Sequence, residues 1–462
     1  MNLNKTPGVY IKGKIPPSIE SVKTAIPAFI GYTQKAELKK PGDLINQATR
    51  IESMLEYEKY FGLPQPETGI TITINTTEAG PVAQGKITNP SNYLMYYSLQ
   101  MYFINNGGPC YIVSVGDYNN SDFIDRTALQ SGLDDIAETN EITLILFPDA
   151  INLDSASDYY TLQKKALEQA AKLKDRFVVM DVWIDADDTT ENVQVLRDFD
   201  FGNAETAKYG AAYYPRIFTH LNYKYEEKDI GIIGIGNESL SGSLTELKSK
   251  KEAYFYYMLS RSEINNIEML MPASSAVAGK YVEVDNTSGV WKAPANIGID
   301  YAVRPEKVIT QNEQRDLNVD SKSGKSINTL RSFAGRGPAI IWGARTLAGN
   351  DKDWQYISVC RFFNMVEEST RKATEQFVSE TNERATWIKV KSMIENYLTS
   401  LWKSGALTGT TPQEAYFVKL GLGETMTGKD VEKGLMIVEI GMAVVRPAEF
   451  TIIRFIQQLQ RP

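Results

Sequence analysis

The sequence predicts a mixed protein in which an α/β region is followed by an α+β region. Two short apolar runs, "ITLILFPDA" and "RFVVMDVW", flank the helical pattern "YYTLQKKALEQAAKLKD", and this order implies a right-handed crossover between parallel strands. From about Ser332 the pattern changes to a buried strand followed by two long amphipathic helices. A chain of 462 residues is too long for one compact core, so two or three domains are expected.

The first half of the chain supplies further elements in order. "AIPAFIGYTQKA" predicts a buried strand, and "SNYLMYYSLQMYFINNGGPCYIVSVG" predicts a helix, a Gly-Gly-Pro stop and a second buried strand. Residues 67–88 alternate like an exposed β-hairpin inserted in a loop. "YGAAYYPRIF" adds another strand, after a stretch that includes an acidic turn. The later stretch "MPASSAVAGKYVEVDNTSGVWKAPAN" predicts a region rich in loops.

The last third predicts a strand, two helices and two terminal strands. "GPAIIWGARTL" is a buried strand, and "DWQYISVCRFFNMVEESTRKATEQFV" is the first long helix. "TNERATWIKVKSMIENYLTSLWKSGAL" is the second helix. One stripe of this helix is apolar at helical spacing, and its members are Trp387, Val390, Ile394, Tyr397, Leu401 and Trp402. The chain finishes as two alternating strands that are broken at Pro447.

Both chain ends predict extended arms. Each is short, bordered by proline and rich in β-formers, and its own domain offers no evident sheet to pair with. An exposed β-arm pairs with a sheet edge, and a neighbouring molecule supplies one when its own domain does not. The residues expected to form the arm strands are Val9, Tyr10, Ile11, Phe450, Thr451, Ile452, Ile453 and Phe455.

Composition excludes several functional classes. The net charge of −8 argues against a general nucleic-acid binder, because phosphate contacts need a basic face. The N-terminus has no apolar signal region and no apolar run has transmembrane length, so we expect synthesis in the cytoplasm and no membrane insertion. Cys110 and Cys360 lie in apolar runs and predict buried free thiols. His220 is the single histidine, so a multi-histidine metal site cannot form, and a structural role is favoured over a catalytic one.

Two glycine motifs suggest nucleotide binding but fail on inspection. Gly324-Lys325-Ser326 ends like a phosphate-binding loop, yet Val319 stands where the first glycine is required and the upstream stretch is polar. We therefore predict a solvated loop there. "GIIGIGNESLSG" has Ser239 where a dinucleotide fingerprint needs its third glycine, which predicts a flexible connection.

An acidic group is the best candidate for an enzyme. Asp181, Asp185, Asp187 and Asp188 follow a parallel strand, and carboxylates at such a strand end can hold Mg²⁺. A metal-dependent phosphotransferase or hydrolase is the alternative function that this group supports. Equally, the stretch fits a strand that runs out into a solvated turn and N-caps the next helix. The turn is the favoured interpretation, and no catalytic, metal or cofactor-binding residue is assigned.

Several segments resemble the sheath proteins of contractile phage tails and related injection systems. "GPAIIWGARTLAGNDKDWQYISVCRFFNMVEEST", "GALTGTTPQEAYFVKLGLGETMT" and "VVRPAEF" carry most of the resemblance, with "PASSAVAGKYVEVDNTSGVWKAPAN" and "TPGVYI" in the same order. Serines in "PASSAVAG" and Val359-Cys360 in "SVCRFF" depart from the family pattern. The modest length is similar to the sheaths of phage-tail-like injection systems of bacteria, and a small phage remains an alternative.

The resemblance implies two domains. An inner α+β domain comprises residues 1–20 and 332–448, and an outer α/β domain comprises residues 21–331, with the hairpin 67–88 as a small insertion. Residues 449–462 form the C-terminal arm. In this family the arms add strands to neighbouring subunits, and contraction of an extended helix drives an inner tube through a target envelope.

The resemblance also implies partners. These are further copies stacked as rings in a helical sheath, an inner tube protein, and baseplate and terminal cap proteins, with sister sheath proteins as a further candidate. Assembly is expected in the bacterial cytoplasm, as part of a particle or virion tail that is released. Charged residues off the apolar stripe and on a later segment are candidates to face the tube, namely Lys389, Lys391, Glu395, Lys403, Lys429, Asp430, Glu432 and Lys433.

Overall fold

A computed structural model describes residues 18–118, 123–184 and 189–448. Its strands are β1 Pro27–Gly31, β2 Thr49–Ile51, β3 Ile70–Thr77, β4 Gly80–Ile87, β5 Cys110–Ser114, β6 Leu144–Leu146, β7 Phe177–Asp181, β8 Gly210–Tyr214, β9 Ile217–Thr219, β10 Gly231–Ile235, β11 Gly242–Ser243, β12 Met269–Met271, β13 Ile297–Gly298, β14 Ala302–Pro305, β15 Ile327–Phe333, β16 Gly337–Trp342, β17 Tyr416–Lys419 and β18 Glu439–Met442. Its α-helices are α1 Met54–Phe61, α2 Met95–Ile104, α3 Arg126–Asp135, α4 Ala156–Leu173, α5 Thr189–Asp198, α6 Ala204–Ala207, α7 Leu244–Ser249, α8 Tyr254–Asn265, α9 Ser274–Ser288, α10 Gln311–Asn318, α11 Ile357–Thr374, α12 Arg384–Lys403, α13 Pro412–Ala415 and α14 Gly428–Glu432.

A nine-stranded sheet forms the centre of the larger part of the fold. Its order is β13-β16-β15-β8-β7-β6-β1-β5-β2. The six strands from β15 to β5 are parallel, and antiparallel pairs close both ends. Strands β6 and β7 are parallel neighbours joined through α4, which confirms the predicted strand–helix–strand unit. Its central strands are buried on both faces and therefore appear as continuous apolar runs.

The predicted hairpin is part of a larger insertion. Strands β3 and β4 pair as expected, but β3 also pairs with β10 in parallel, so the sheet has four strands in the order β11-β10-β3-β4. Inner residues of this sheet pack with α7 and α8 in a core of their own, which includes Ile72, Ile232, Leu244 and Tyr257. The expected exposed hairpin is thus half buried, and "GIIGIGNESLSG" begins as strand β10, continues through a 3-10 turn and ends at β11.

The stretch predicted to be rich in loops contains a buried helix. Helix α9 spans Ser274–Ser288, and residues 274–282 are all buried. A helix that is covered on every side has no exposed polar face, so the amphipathic period that identifies helices is missing from its sequence. The prediction of a loop-rich region was wrong for this reason over its first half.

The chain divides into two compact units. Among the described residues, unit 1 comprises 18–22 and 365–445, and unit 2 comprises 23–364 and 446–448. The sequence predicts the second boundary at Ser332, whereas in the structure it falls inside α11. Strands β15 and β16 explain the difference, because they belong to the nine-stranded sheet of unit 2.

Helices α11 and α12 match their predicted extents closely. On α12 the side chains of Val390, Ile394, Tyr397 and Leu401 are buried, as the apolar stripe predicts. Trp387 and Trp402 are only partly covered. The Trp387 indole N–H donates to Asn382 Oδ1 at 2.7 Å, and the Trp402 indole N–H donates to the Gly409 carbonyl at 3.0 Å.

Both cysteines are buried free thiols, as predicted. Burial raises the pKa of Cys360 to about 12 and that of Cys110 further still, so neither forms a thiolate at neutral pH. His220 is exposed at the end of β9, where its backbone N–H donates to the Tyr301 carbonyl at 2.9 Å. No helix in the described part of the chain is long and apolar enough to cross a membrane.

Candidate functional site

In the two-stranded sheet of unit 1, the outer side of β18 is not paired with any described strand. Strands β17 and β18 pair antiparallel, with Phe417 opposite Gly441. Beyond β18 the Ala443 N–H donates to the Ala415 carbonyl at 2.8 Å, and the Ala443 carbonyl accepts the Thr408 N–H at 2.7 Å. Odd-numbered residues of this stretch therefore direct their backbone groups towards β17 and towards residues 406–408.

The even-numbered residues of the same stretch point to the opposite side. Backbone direction alternates along an extended strand, so Ile440, Met442 and Val444 direct their N–H and carbonyl groups away from β17. Within residues 18–118, 123–184 and 189–448 no backbone hydrogen-bond partner is recorded for them. We call this side of residues 440–444 the open edge. It offers three donors and three acceptors to a further strand.

Helix α12 supports the sheet from one face. Thr399 Oγ1 lies 2.6 Å from Tyr416 Oη, and the Tyr416 hydroxyl also donates to the Glu395 carbonyl at 3.2 Å. Val418, two residues along β17, is buried on the same face. Two isolated strands are marginally stable in water, so this packing against α12 is what holds the open edge in place.

The other face of this sheet is exposed. Phe417 is 46% exposed, and its ring lies over Gly441 on the neighbouring strand, where any side chain would clash with it. Lys419 Nζ lies 3.6 Å from the Glu439 carboxylate and 4.8 Å from the Phe417 ring centre. An aromatic ring over a cross-strand glycine shields the glycine backbone from water and helps to fix the strand register.

The arm strands predicted from the sequence lie outside the described residues. This applies to both chain ends, that is to Val9, Tyr10, Ile11, Phe450, Thr451, Ile452, Ile453 and Phe455. The described chain begins at residue 18 and ends at residue 448, six residues after β18.

The charged candidates for tube contact fall on two separate helices. Lys389 and Lys403 are exposed on α12, where Lys391 and Glu395 are half-buried. Lys391 and Glu395 lie one turn apart on one face, whereas Lys389 points to a nearly opposite side at about 100° per residue. Lys389 Nζ lies 3.5 Å from the Glu380 carboxylate. The structure therefore does not bring the four charges of α12 onto a single face.

The second group lies on α14. Lys429, Glu432 and Lys433 are exposed there. Asp430 has a structural task, because its carboxylate accepts the Thr427 N–H at 2.9 Å and the Thr427 hydroxyl at 2.6 Å. These bonds form a capping box and hold the pKa of Asp430 below its usual value.

The acidic group divides between described and undescribed residues. Asp185, Asp187 and Asp188 lie outside the described part of the chain. Asp181 is buried, and its Oδ1 accepts the backbone N–H groups of Ala273 at 2.8 Å and Ser274 at 3.1 Å. The Asp181 carboxylate thus caps α9. The predicted turn that N-caps the next helix falls on residues 185–188, outside the described part of the chain.

A second carboxylate does the same on the neighbouring strand. Asp149, just after β6, is fully buried and accepts N–H groups from Leu94 at 2.6 Å, Met95 at 3.0 Å and Tyr32 at 2.7 Å. Leu94 and Met95 begin α2. The acidic residues at two strand ends therefore satisfy the first turns of two helices, and among the described residues no cluster suited to a metal ion is found.

The Gly-Lys-Ser triplet has a structural role as well. Lys325 Nζ donates to the Arg197 and Phe199 carbonyls at the end of α5, the second at 2.6 Å. Ser326 is buried and donates to the Asn318 carbonyl at 2.6 Å. A lysine bound to the last carbonyls of a helix is a C-terminal cap. The triplet is therefore not arranged to bind phosphate.

Comparisons with known proteins agree on one class. The family model described as the phage tail sheath C-terminal domain matches residues 349–458. A tail sheath protein of Vibrio phage KVP40 is 24% identical over 151 residues, which are 33% of this chain and 22% of that protein. The aligned part is thus about a fifth of the phage protein. The chain is thus similar to contractile tail sheath proteins, and residues 349–458 match their C-terminal domain.

Similarity over the whole chain is found to chains of the anti-feeding prophage and of an extracellular contractile injection system. A chain in the cryo-EM structure of the anti-feeding prophage baseplate is 28% identical, with a TM-score of 0.65, and the match covers 99% of this chain and 100% of that one. A chain of the PVC sheath complex, from an extracellular contractile injection system in the contracted state, is 26% identical with a TM-score of 0.65, covering 100% and 99%. A chain of the anti-feeding prophage helical sheath in the contracted state is 28% identical, with a TM-score of 0.64.

Proposed function

We propose that this protein is the sheath subunit of a phage-tail-like contractile injection particle. Copies polymerise helically around an inner tube, and contraction of the polymer drives the tube through a target envelope. The chains that match over the whole length come from the anti-feeding prophage baseplate and from two contracted sheath assemblies, and none of the comparisons supports the phosphotransferase or hydrolase alternative. Baseplate, terminal cap and sister sheath proteins are the further partners under this proposal.

The open edge is the observation that carries the proposal within this chain. An arm strand that pairs with Ile440, Met442 and Val444 gains up to six backbone hydrogen bonds, at about 0.5–1.5 kcal/mol net for each. The source is the arm of a neighbouring copy, from residues 9–11 or from residues 450–455. Repeated head-to-tail donation does not close on itself and so produces an open helix.

Such a connection suits a polymer that rearranges. Backbone pairing of a donated strand persists while other contacts between copies change, since it does not depend on how the rest of the two surfaces meet. The energy for contraction is stored during assembly in a metastable state, so no nucleotide is consumed. The position of Lys325 at the end of α5 supports this view, because it is not available for phosphate.

The charged residues of α12 and α14 are proposed to meet the inner tube. Lys403, Lys429, Glu432 and Lys433 are exposed, and no ion pair is recorded for them within the described residues. Exposed ion pairs contribute little each, which suits a sheath that must release its tube. Asp430 already caps α14 and is the least available of these candidates.

Deletion of residues 1–13 tests the proposal. The shortened subunit should stay folded by circular dichroism but build no tubes in electron micrographs, because its donated strand is gone. Deletion of residues 1–4 is the matched control, since it leaves Val9, Tyr10 and Ile11 in place and should permit assembly. Long tubes from the subunit that lacks residues 1–13 would refute the role of this arm.

A further inference from the structure

The segment that follows the N-terminal arm is held by few apolar contacts. We call residues 18–22 the arm root. Ser18, Glu20 and Ser21 are exposed, whereas Ile19 and Val22 are half-buried. A segment with so little buried surface gains little from the hydrophobic effect, so its position depends on specific hydrogen bonds.

Those hydrogen bonds come from two buried hydroxyl groups of unit 1. The Val22 N–H donates to Ser369 Oγ at 2.9 Å, and Ser21 Oγ lies 2.9 Å from Tyr397 Oη. Ser369 and Tyr397 are 1% and 6% exposed. The Ser369 hydroxyl donates to the Met365 carbonyl at 2.6 Å. The Ser369 hydroxyl is thus oriented by α11 itself, and the Tyr397 hydroxyl is placed by a buried ring on α12.

The chain just beyond the arm root is held separately within unit 2. Thr24 Oγ1 donates to the Asp285 carboxylate at 2.5 Å, and Arg361 donates to the Thr24 carbonyl at 2.9 Å. Arg361 and Asp285 form a bidentate ion pair with side chains only 3% and 5% exposed. Replacing a buried ion pair by an apolar pair often leaves the stability of a core unchanged. Here, however, an apolar pair would remove the hydrogen bond from Arg361 to the Thr24 carbonyl.

We propose that Tyr397 and Ser369 are positioning residues that clamp the arm root, so that residues 1–17 start from a fixed point. A fixed origin reduces the conformational freedom that the arm loses when it binds a neighbouring copy, and it sets where the arm can reach. Fully extended, that length of chain spans at most about 55–60 Å. The inference rests on the proposed function, because it assumes that the arm is donated.

Tyr397→Phe tests the clamp, since it removes one hydroxyl and keeps the ring. The expected result is a rise of about fivefold in the critical concentration for sheath assembly, measured by sedimentation. Ser369→Ala should do the same if the phenylalanine variant is poorly soluble. Tyr97→Phe is the matched control, because its buried hydroxyl accepts the Lys224 N–H at 2.9 Å in unit 2 and should change assembly less than twofold.

Hydrogen exchange in the free subunit gives a readout that general destabilisation does not produce. Backbone amides of residues 19–23 should exchange faster in Tyr397→Phe and Ser369→Ala, and should keep the wild-type rate in Tyr97→Phe. Equal exchange and equal critical concentrations in all three variants would overturn the clamp. That result, together with tubes from the wild type and none from the subunit lacking residues 1–13, would reject the clamp alone, whereas failure of the wild-type subunit to form any tubes would reject the proposed function itself.

Discussion

Asp181 Oδ1 accepts the backbone N–H of Ala273 at 2.8 Å, across a sequence separation of 92 residues. The same oxygen also accepts the backbone N–H of Ser274, so a carboxylate at the end of β7 satisfies the first turn of α9. This capping role accounts for the acidic residue that, in sequence, most resembled a catalytic group. It also makes the geometry of Asp181 testable without reference to catalysis.

Removal of this cap should destabilise the subunit but leave assembly intact. Loss of a capping side chain costs about 1–2 kcal/mol, so Asp181→Ala should lower the free energy of urea unfolding by that amount. Asp181→Asn retains an acceptor oxygen and should lose less. Both variants should form tubes at concentrations well above the wild-type critical concentration. An unchanged unfolding midpoint in Asp181→Ala would contradict the capping role.

Stability should fall as the pH rises from 5 to 8. Burial raises the pKa of Asp149 to about 7 and that of Asp181 to about 6, whereas aspartate in an unfolded chain titrates near 4. The folded chain therefore holds protons that the unfolded chain has released. This contribution is complete below about pH 4 and is lost as the pH passes through 6 and 7.

Urea unfolding of the subunit lacking residues 1–13 measures the effect without assembly. The free energy of unfolding should fall by at most about 1.4 kcal/mol per pH unit for each carboxyl group. Asp181→Asn should flatten the part of the curve near pH 6 and leave the part near pH 7. A free energy of unfolding that stays constant between pH 5 and 8 would show that these carboxylates are ionised throughout.

Replacement of Lys325 should affect stability and nothing else. Lys325→Met keeps most of the apolar stem but leaves the Arg197 and Phe199 carbonyls without their donor, at a cost of about 1–3 kcal/mol. We expect a lower melting temperature, unchanged tube formation and no change on addition of ATP. Stabilisation of the wild type by ATP that is absent from Lys325→Met would instead indicate a nucleotide site.

The open edge makes a position-specific prediction. Met442→Pro removes an outward N–H group and places a ring where a donated strand would pair, while the hydrogen bonds towards β17 remain. The variant should fold and fail to form tubes. Met442→Ala loses the side chain but keeps the N–H group, so it should assemble. Normal tubes from Met442→Pro in electron micrographs would exclude this edge as the docking position.

The hydrophobic pattern of the sequence correctly predicted the elements that bury only one face or that are short apolar runs. Helix α12 has one buried stripe, and β6 and β7 are short apolar runs on either side of α4, so periodicity identifies them. Residues 274–282 of helix α9 are buried on every side and show no such period. Continuous apolar or small-residue sequence leaves the choice between helix, strand and loop open.

Contacts between residues far apart in sequence could not be predicted from the local sequence pattern. Nothing near Asp149 or Asp181 indicates that they cap helices α2 and α9, since both helices lie far away in sequence. The partner of the hairpin formed by β3 and β4 is β10, in a stretch whose glycines suggested a connection. The open edge depends on the direction in which Met442 points its N–H group. That direction is known only after β18 has been paired with β17, because alternation along a strand does not say which side faces the partner.

The buried state of Cys110 and Cys360 has a practical consequence. These are the only two cysteines in the sequence, and both thiols stay protonated and covered. A single cysteine introduced at an exposed position such as Lys403 would therefore be the sole target for a maleimide dye. Fluorescence transfer between labelled copies could then follow the shortening of the polymer in real time.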